Sequence, residues 1–519
     1  MRFAPLRAPT PALDGDGDRA SQPAAHVQCT AIAGLWWLSG GLMAIYVIVF
    51  CLDAYTRLVR PLDEFTYGES WLLDGARRIA HGDMLYGAAD QLPLMHIAYT
   101  PVYYALVGAL LKVFGDQGYT TGRAVSLAAT LVGSIALGWS MRRLSGRWSI
   151  GLLTVGLFLT QNVTLLLWAS LQRVDALALA FTMVGLALAT AGRVYVAALL
   201  FLVAILTKQT FVVAPLAVFV SLWPCRKKML RFALLFCGTC VLAVALLQWQ
   251  SNGWFVWHIV SANANQADLD TFAILLGSFL QFNGLSMLAA SATLLFPARC
   301  GRNERLWRLY FLGSLAMLPT IAKIGASSNY WLELTAATAA LLGLGADRLS
   351  RSHLPSAGLV APVVVAGSLM IAVPAYQATM TEVADTVHDV IQPPQPQFIS
   401  LVADRGTAPY RVYSSFVAQV AEEPGELLTD NPGLAVAAGK RIAFEFQIFQ
   451  LLHVEGRWSE RPILDAIAAR RFALVALMHP LDGPLNGTRL TPAVRDALAE
   501  AYVPVEPQAG FWLYRPRNS

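Results

Sequence analysis

The sequence is poor in charge. Only 14% of its 519 residues are Asp, Glu, Lys or Arg, against roughly 25% in soluble domains, while 56% are hydrophobic. No soluble core needs that much apolar chain, so a wholly soluble protein is excluded and a polytopic membrane protein is expected. Cysteine is scarce as well. Cys29, Cys51, Cys225, Cys237, Cys240 and Cys300 have no zinc spacing and form no disulfide framework. Cys237 and Cys240 sit inside an apolar run and read as small packing residues. The signatures of soluble enzymes are missing too. There is no phosphate-cradling glycine loop with its lysine, no His-Glu-x-x-His and no nucleophile elbow. The net charge of +5 is modest. Its placement in short Arg/Lys clusters between apolar runs belongs to membrane topology rather than to nucleic-acid binding.

What is abundant is apolar sequence in runs of spanning length, about 20 residues each. They cover 31–52, 124–141, 149–169, 174–191, 194–207, 209–223, 230–249, 272–297, 308–322, 330–346 and 356–374. Residues 1–28, rich in Ala, Pro, Asp and Gly, predict a disordered cytoplasmic tail. The run that follows is too long for a signal-peptide core and should remain as an anchor. One further run, Tyr99 to Phe114, is shorter and carries Lys112 near its end. The basic clusters at Arg142-Arg143, Arg226-Lys227-Lys228, Arg299 to Arg308, and Arg348 with Arg351 decide its treatment. They all fall on the cytoplasmic side, as the positive-inside rule asks, only if 99–114 does not span. It is therefore expected along the outer interface, with Tyr99, Tyr103 and Tyr104 at headgroup level.

The expected fold is thus an α-helical polytopic membrane protein of about 11 spans, with the N-terminus inside and the C-terminus outside. Its membrane domain covers 29–374 and its first outer loop 53–122. Within that loop Phe65 to His81 reads as an amphipathic helix, with Trp71, Leu72, Ala76 and Ile79 opposing Glu69, Asp74, Arg77 and Arg78. Both loop helices would lie on the membrane. Residues 375–519 are polar enough for a small soluble α/β domain, entered through Pro393-Pro394-Gln395-Pro396. Tyr410–Phe416 and Phe472–Leu477 look like strands, and Pro462–Arg471 like a helix.

The residues that can carry chemistry begin with the adjacent carboxylates Asp63-Glu64, where the first span hands the chain to water. Carboxylates at a helix start complement the dipole. The same pair could act as a general base with an orienting carboxylate. Arg123, Arg173, Lys208 and Lys323 all fall near the outer ends of spans. Ionisable residues at that depth are usually functional or paired. Arg173 has Asp175 as a local partner, and Lys208 or Arg123 could snorkel. Their shared depth also suits a clamp on a lipid-linked phosphate leaving group. His96, Tyr99, Asp175, Lys323, Asn329, Tyr330 and Glu333 fall on the same side and are candidate substrate contacts; His96 also reads as a structural histidine. Asp268-Leu269-Asp270 has the form of a metal-binding Asp-x-Asp, yet it immediately precedes an apolar helix and reads as a cap. No cofactor is implied, no metal ligand set is assigned, and a divalent metal is compatible with the chain without being indicated by it.

Taken in order, Asp63-Glu64, His81-Gly82-Asp83-Met84-Leu85-Tyr86, Tyr99-Thr100-Pro101-Val102-Tyr103-Tyr104, Gly122-Arg123-Ala124-Val125-Ser126, Arg173-Val174-Asp175 and Thr207-Lys208-Gln209 form a pattern over roughly 30–350. The pattern resembles the membrane glycosyltransferases of the GT-C fold, and within them the protein O-mannosyltransferase and lipid A aminoarabinose transferase branch (glycosyltransferase family 39-like). The resemblance implies a polyprenyl-phosphate sugar donor and a periplasmic or lumenal active site. It implies Asp63 as the catalytic base and Arg123 as a contact to the donor phosphate. The C-terminal part does not resemble the β-trefoil of many O-mannosyltransferases, so the acceptor stays open among lipid, glycan and protein.

The expected reaction is a single inverting displacement. Asp63 takes the acceptor proton, Glu64 orients it, and Arg123, Lys208 and Arg173 hold the departing phosphate. The expected setting is the bacterial inner membrane, with the active site and the C-terminus on the periplasmic side. The partners are the lipid-linked donor, an unknown acceptor and membrane lipids, with no nucleic acid. The competing readings are a polyprenyl-lipid flippase and a non-catalytic lipid-binding scaffold. A flippase would often show repeat symmetry and helices broken near mid-membrane, and neither is evident.

Overall fold

The computed structural model describes residues 22–59, 68–160, 163–297, 301–352, 357–391, 410–483 and 489–517. Asp63 and Glu64 lie outside the described residues, as do positions 1–21 of the expected tail and the Pro393-Pro394-Gln395-Pro396 linker.

The first helix, α1 (Gln22–Val59), already includes residues 22–28 of the stretch expected to be disordered. Two short helices of the first loop, α2 (Ser70–His81) and α3 (Val102–Phe114), pack on each other. Then follow α4 (Tyr119–Ser145), α5 (Trp148–Thr160), α6 (Val163–Trp168), α7 (Val174–Thr190), α8 (Val194–Ile205), α9 (Val213–Ser221) and α10 (Arg226–Gln250). A short α11 (Trp254–Val256) runs on as one π turn, Trp257–Ser261. The apolar part closes with α12 (Leu269–Ala292), α13 (Gly301–Ala316), α14 (Leu332–Ser350) and α15 (Ala357–Ile391). The run expected to end at Pro374 continues as helix to Ile391, with Pro362 and Pro374 inside it.

Each expected apolar run is helical in whole or part. Among the described residues five helical stretches are long and apolar enough to cross a bilayer: Thr30–Val59, Tyr119–Ser145, Arg226–Gln250, Leu269–Leu295 and Gly358–Thr381. In α10 only Phe232 is buried, while Leu230, Leu234, Val241, Leu242, Leu246 and Trp249 are exposed. A helix that is apolar all round and bare of protein needs hydrocarbon around it. By contrast, every residue from Leu332 to Arg348 of α14 is buried by neighbouring helices. That cover lets α14 carry Glu333, Asp347 and Arg348. Glu304 meets both Arg308 and Arg348 at the basic end of the helices. Helices α4 and α5 cross through glycines. A Cβ on Gly138 would stand 2.9 Å from the Gly151 carbonyl oxygen, and one on Gly151 would stand 2.7 Å from that of Gly138.

The polar part contains α16 (Tyr410–Glu422), β1 (Glu426–Thr429), α17 (Pro432–Ala437), α18 (Phe446–Val454), α19 (Arg461–Ala468), β2 (Phe472–Leu477), α20 (Pro492–Ala501), β3 (Tyr502–Gln508) and β4 (Phe511–Pro516). The sheet order is β1-β2-β4-β3; β1 and β2 are parallel and the other pairs antiparallel. The expected strand at 472–477 and the helix before it are present. The strand expected at Tyr410–Phe416 is instead the start of α16. Its aromatic and β-branched content points to a strand, but the buried residues Tyr413, Phe416 and Val420 recur at helical spacing.

The polar part and the first loop share one hydrophobic core, in which Leu72, Tyr103 and Val174 join Phe416, Leu434 and Phe511. This corrects the expected solvent-facing polar side of α2. Asp74 and Arg78 pair at 2.7 Å and are buried, Arg77 donates to the Val436 carbonyl at 2.8 Å, and Arg441 pairs with Asp83. The Asp74–Arg78 pair of α2 faces protein rather than water, and Arg77 is partly covered.

Candidate functional site

The cations singled out in the sequence gather where five chain breaks meet: Gly68–Ser70, the turn before α7, Ala98–Thr100, the α8–α9 connection, and the stretch from Lys323 to Trp331. The local reasons are plain. Arg173 is the extended residue capping α7, and Asp175 in the first turn complements the helix dipole. The last carbonyls of α8 accept from the first loop: Thr100 Oγ1 donates to Ile205 O at 2.7 Å and the Val102 amide to Leu206 O at 2.9 Å. The chain then turns through Lys208 and Gln209 before α9.

Two buried ion pairs organise the region. In the first, Arg123 grips Glu69 with both arms of its guanidinium, at 2.8 and 2.5 Å. Arg123 also donates to Arg57 O at 2.6 Å, and the Gln172 amide donates to Glu69 Oε1 at 2.7 Å. Glu69 and Arg123 are both fully buried. In the second, Lys208 Nζ lies 2.5 Å from Asp175 Oδ1, which also accepts from Asn329 Nδ2 at 2.8 Å. Lys208 stands 4.4 Å from the Tyr330 ring centre.

Arg173 lies between rings, 5.5 Å from that of Tyr99 and 5.4 Å from that of Trp168. It donates to the Tyr99 hydroxyl at 2.7 Å and to Gly68 O at 2.9 Å, with its Nε 3.8 Å from Asp175 Oδ2. Lys323 is half-buried beside this group. Among the described residues its ammonium has no ion-pair partner, and burial together with the charge of Lys208 holds its pKa below the usual lysine value. Tyr99, Arg173, Asp175, Lys208, Asn329 and Tyr330 therefore form one cluster with Lys323 at its edge.

Two candidates stand apart. Glu333 is buried at the start of α14 beside Tyr310. The ring of His96 hydrogen-bonds to the His258 carbonyl at 2.9 Å and lies against the Trp257 and His258 rings, while its backbone amide donates to Glu445 Oε2 at 2.9 Å. His258 Nδ1 accepts from the Ile97 amide at 3.1 Å. Burial pushes His96 down to about 3 and His258 down to about 4, and pushes the Glu445 carboxyl up to about 8. These groups fasten the 94–97 segment to the polar domain, which also takes the Trp458 indole onto Ala89 O at 2.7 Å. That segment leads directly into Ala98 and Tyr99.

Asp268 caps α12, accepting from the amides of Asp270 and Thr271 at 3.1 and 3.2 Å. Among the described residues no group of three or more His, Cys, Asp or Glu is placed to hold a metal ion. Sequence reasoning missed Glu69, Trp168 and Gln209 as parts of the site. Glu69 was read on the exposed face of an amphipathic helix. Its signal was available only as a carboxylate preceding a helix start, which ordinarily means a cap.

No protein-family model and no curated protein matches the chain. Its architecture is found in solved structures. ArnT from Cupriavidus metallidurans in the apo state aligns with a TM-score of 0.58 and 13% identity, over 93% of this chain and 98% of that one. The same protein bound to undecaprenyl phosphate aligns with a TM-score of 0.58 and 14% identity, over 90% and 97%. The archaeal oligosaccharyltransferase AglB from Archaeoglobus fulgidus, in complex with an inhibitory peptide and a dolichol-phosphate, gives 0.54 and 11%, over 92% and 74%. Both proteins are membrane glycosyltransferases of the GT-C fold. The likeness establishes the fold: this chain has the GT-C architecture.

Proposed function

We propose that this protein is a membrane glycosyltransferase that moves a sugar from a polyprenyl-phosphate donor to a periplasmic acceptor. The observation that carries the reading is the gathering of Arg173 and Lys208 around Tyr99, with Lys323 beside Lys208, at one end of a GT-C helix bundle. Buried pairing neutralises Lys208 with Asp175 and leaves Lys323 without an ionic partner among the described residues. Cations in a poorly hydrated site stabilise a phosphate leaving group strongly. Lys323 and Arg173 are the natural phosphate ligands, with Lys208 behind them. Arg123 acts one step back, holding the start of α2 through Glu69.

Asp63 is the general base and Glu64 its orienting partner, in a single inverting displacement through an oxocarbenium-like state. The topology is eleven crossings of a bacterial inner membrane, with the site and the polar domain on the periplasmic side. That arrangement keeps the basic clusters cytoplasmic. The test is Asp63→Asn in reconstituted vesicles. It should abolish transfer while insertion, thermal unfolding and binding of undecaprenyl phosphate stay as in the wild type. Transfer near the wild-type rate would sink the assignment of Asp63. Loss of transfer with lipid binding retained separates an enzyme from a lipid-binding scaffold.

A further inference from the structure

Tyr99 holds a place in the cluster that no regular element gives it. Residues 95–98 ahead of it belong to neither helix nor strand. Two side chains from distant parts of the chain meet instead on the carbonyl oxygen of Ala98, its immediate neighbour. Gln209 Nε2 donates to it from the α8–α9 connection at 2.8 Å, and Asn263 Nδ2 donates from beyond the π turn at 3.2 Å. On the other side of Tyr99, the Thr100 hydroxyl and the Val102 amide are bonded to the end of α8. Tyr99 is thus gripped at both flanks, and its hydroxyl accepts from Arg173 at 2.7 Å.

Asn263 is mounted for that task. Its amide nitrogen also faces the carbonyls of His258 and Ile259, at 2.9 and 3.2 Å. Three carbonyl oxygens around one amide atom identify that atom as the donor nitrogen. The stretch that follows is fastened to the Lys323 segment: the Asp268 amide donates to Ala322 O at 2.6 Å and the Ile324 amide to Gln266 O at 2.9 Å. Arg457 of the polar domain adds a bond to Ala264 O at 3.1 Å. Asn263 itself is half-buried, with Ser261 and Ala264 exposed beside it, so its bonds serve placement more than stability. Resting on the transferase reading, we infer that Asn263 is a positioning residue of the donor site: together with Gln209 it fixes the Ala98 carbonyl, and through Tyr99 it sets the Arg173 guanidinium for the phosphate. Small displacements of such a group carry large functional costs.

The experiment is a double-mutant cycle on the full-length protein in nanodiscs, read as affinity for undecaprenyl phosphate. Asn263→Ala should weaken binding about fivefold, the size of one net hydrogen bond, with the unfolding temperature almost unchanged. Tyr99→Phe removes the hydroxyl through which Asn263 acts and should weaken binding by a similar factor. The two losses should not multiply: in the Tyr99→Phe background, Asn263→Ala should cost less than about twofold. An asparagine that merely supports the fold would lower affinity equally in both backgrounds, and that result overturns the inference. Asn263→Ala binding the lipid as the wild type does overturns it too. If Asn263→Ala does not fold, Gln209→Met enters the same cycle and is read against the same outcomes. A wild-type protein that fails to bind undecaprenyl phosphate overturns the transferase reading, and this inference with it. A wild type that binds, with losses that multiply, leaves that reading standing and removes only the role of Asn263.

Discussion

Replacing Lys323 with methionine separates two assignments of the donor phosphate. Arg123 and Lys323 both fall near the outer ends of helices, but the structure gives them opposite surroundings. Arg123 is fully buried and bidentate to Glu69, whereas Lys323 is half-buried with no ion-pair partner among the described residues. A charge-assisted hydrogen bond to a phosphate is worth about 1.5–3 kcal/mol, which is about a 10- to 150-fold change in affinity. Lys323→Met should therefore weaken undecaprenyl-phosphate binding by about that factor and leave the unfolding temperature almost unchanged. Arg123→Met should do the reverse. It strands the Glu69 carboxylate without its principal partner, a change that costs about 3–5 kcal/mol in buried pairs. Binding titrations in nanodiscs, run beside thermal unfolding in detergent, read both quantities. The reasoning is refuted if Lys323→Met binds the lipid as the wild type does. It is refuted equally if Arg123→Met unfolds at the wild-type temperature yet loses the lipid, which would return the phosphate to Arg123.

Two other outcomes follow from the geometry. Between pH 4.5 and 8 the buried Glu445 keeps a proton that the unfolded chain has released, so folding stability falls as pH rises through that window. His96 and His258 act in the opposite sense, losing stability as pH drops below 6.5. From pH 6.5 to 8 the carboxyl is no longer opposed by the histidines; the melting temperature should decline there, and Glu445→Gln should flatten the decline. Gly151→Leu should push α5 off α4 and cost about 1–3 kcal/mol, seen as a lower unfolding temperature; unchanged stability would mean that the two helices do not cross this closely.

Much of the fold was legible because the signals were local. Apolar run length located the helices, and Asp268 before an apolar stretch read correctly as a cap. The gathering of Tyr99, Arg173, Asp175, Lys208, Asn329 and Tyr330 followed from their shared depth. Partner choice was not legible. Glu69 meets Arg123 across 54 positions, and nothing in the neighbourhood of either residue says so. The polar face of α2 looked solvated because its cover, Val436 and Ile442, arrives some 360 residues later. Tyr410–Phe416 was misread because a short aromatic window carries composition but too little periodicity, which emerges only when α16 is followed to Glu422.

The bonds from Ala443 and Glu445 to Leu94 and His96 bear on how the protein is made. The ribosome delivers every apolar helix, through Ile391, before it delivers those two residues. Until it does, the segment leading into Tyr99 lacks the partners that fix it. A nascent chain can thus hold all of its apolar helices while the segment ahead of Tyr99 is still unfastened, so residues far downstream complete the setting of a site built from earlier ones.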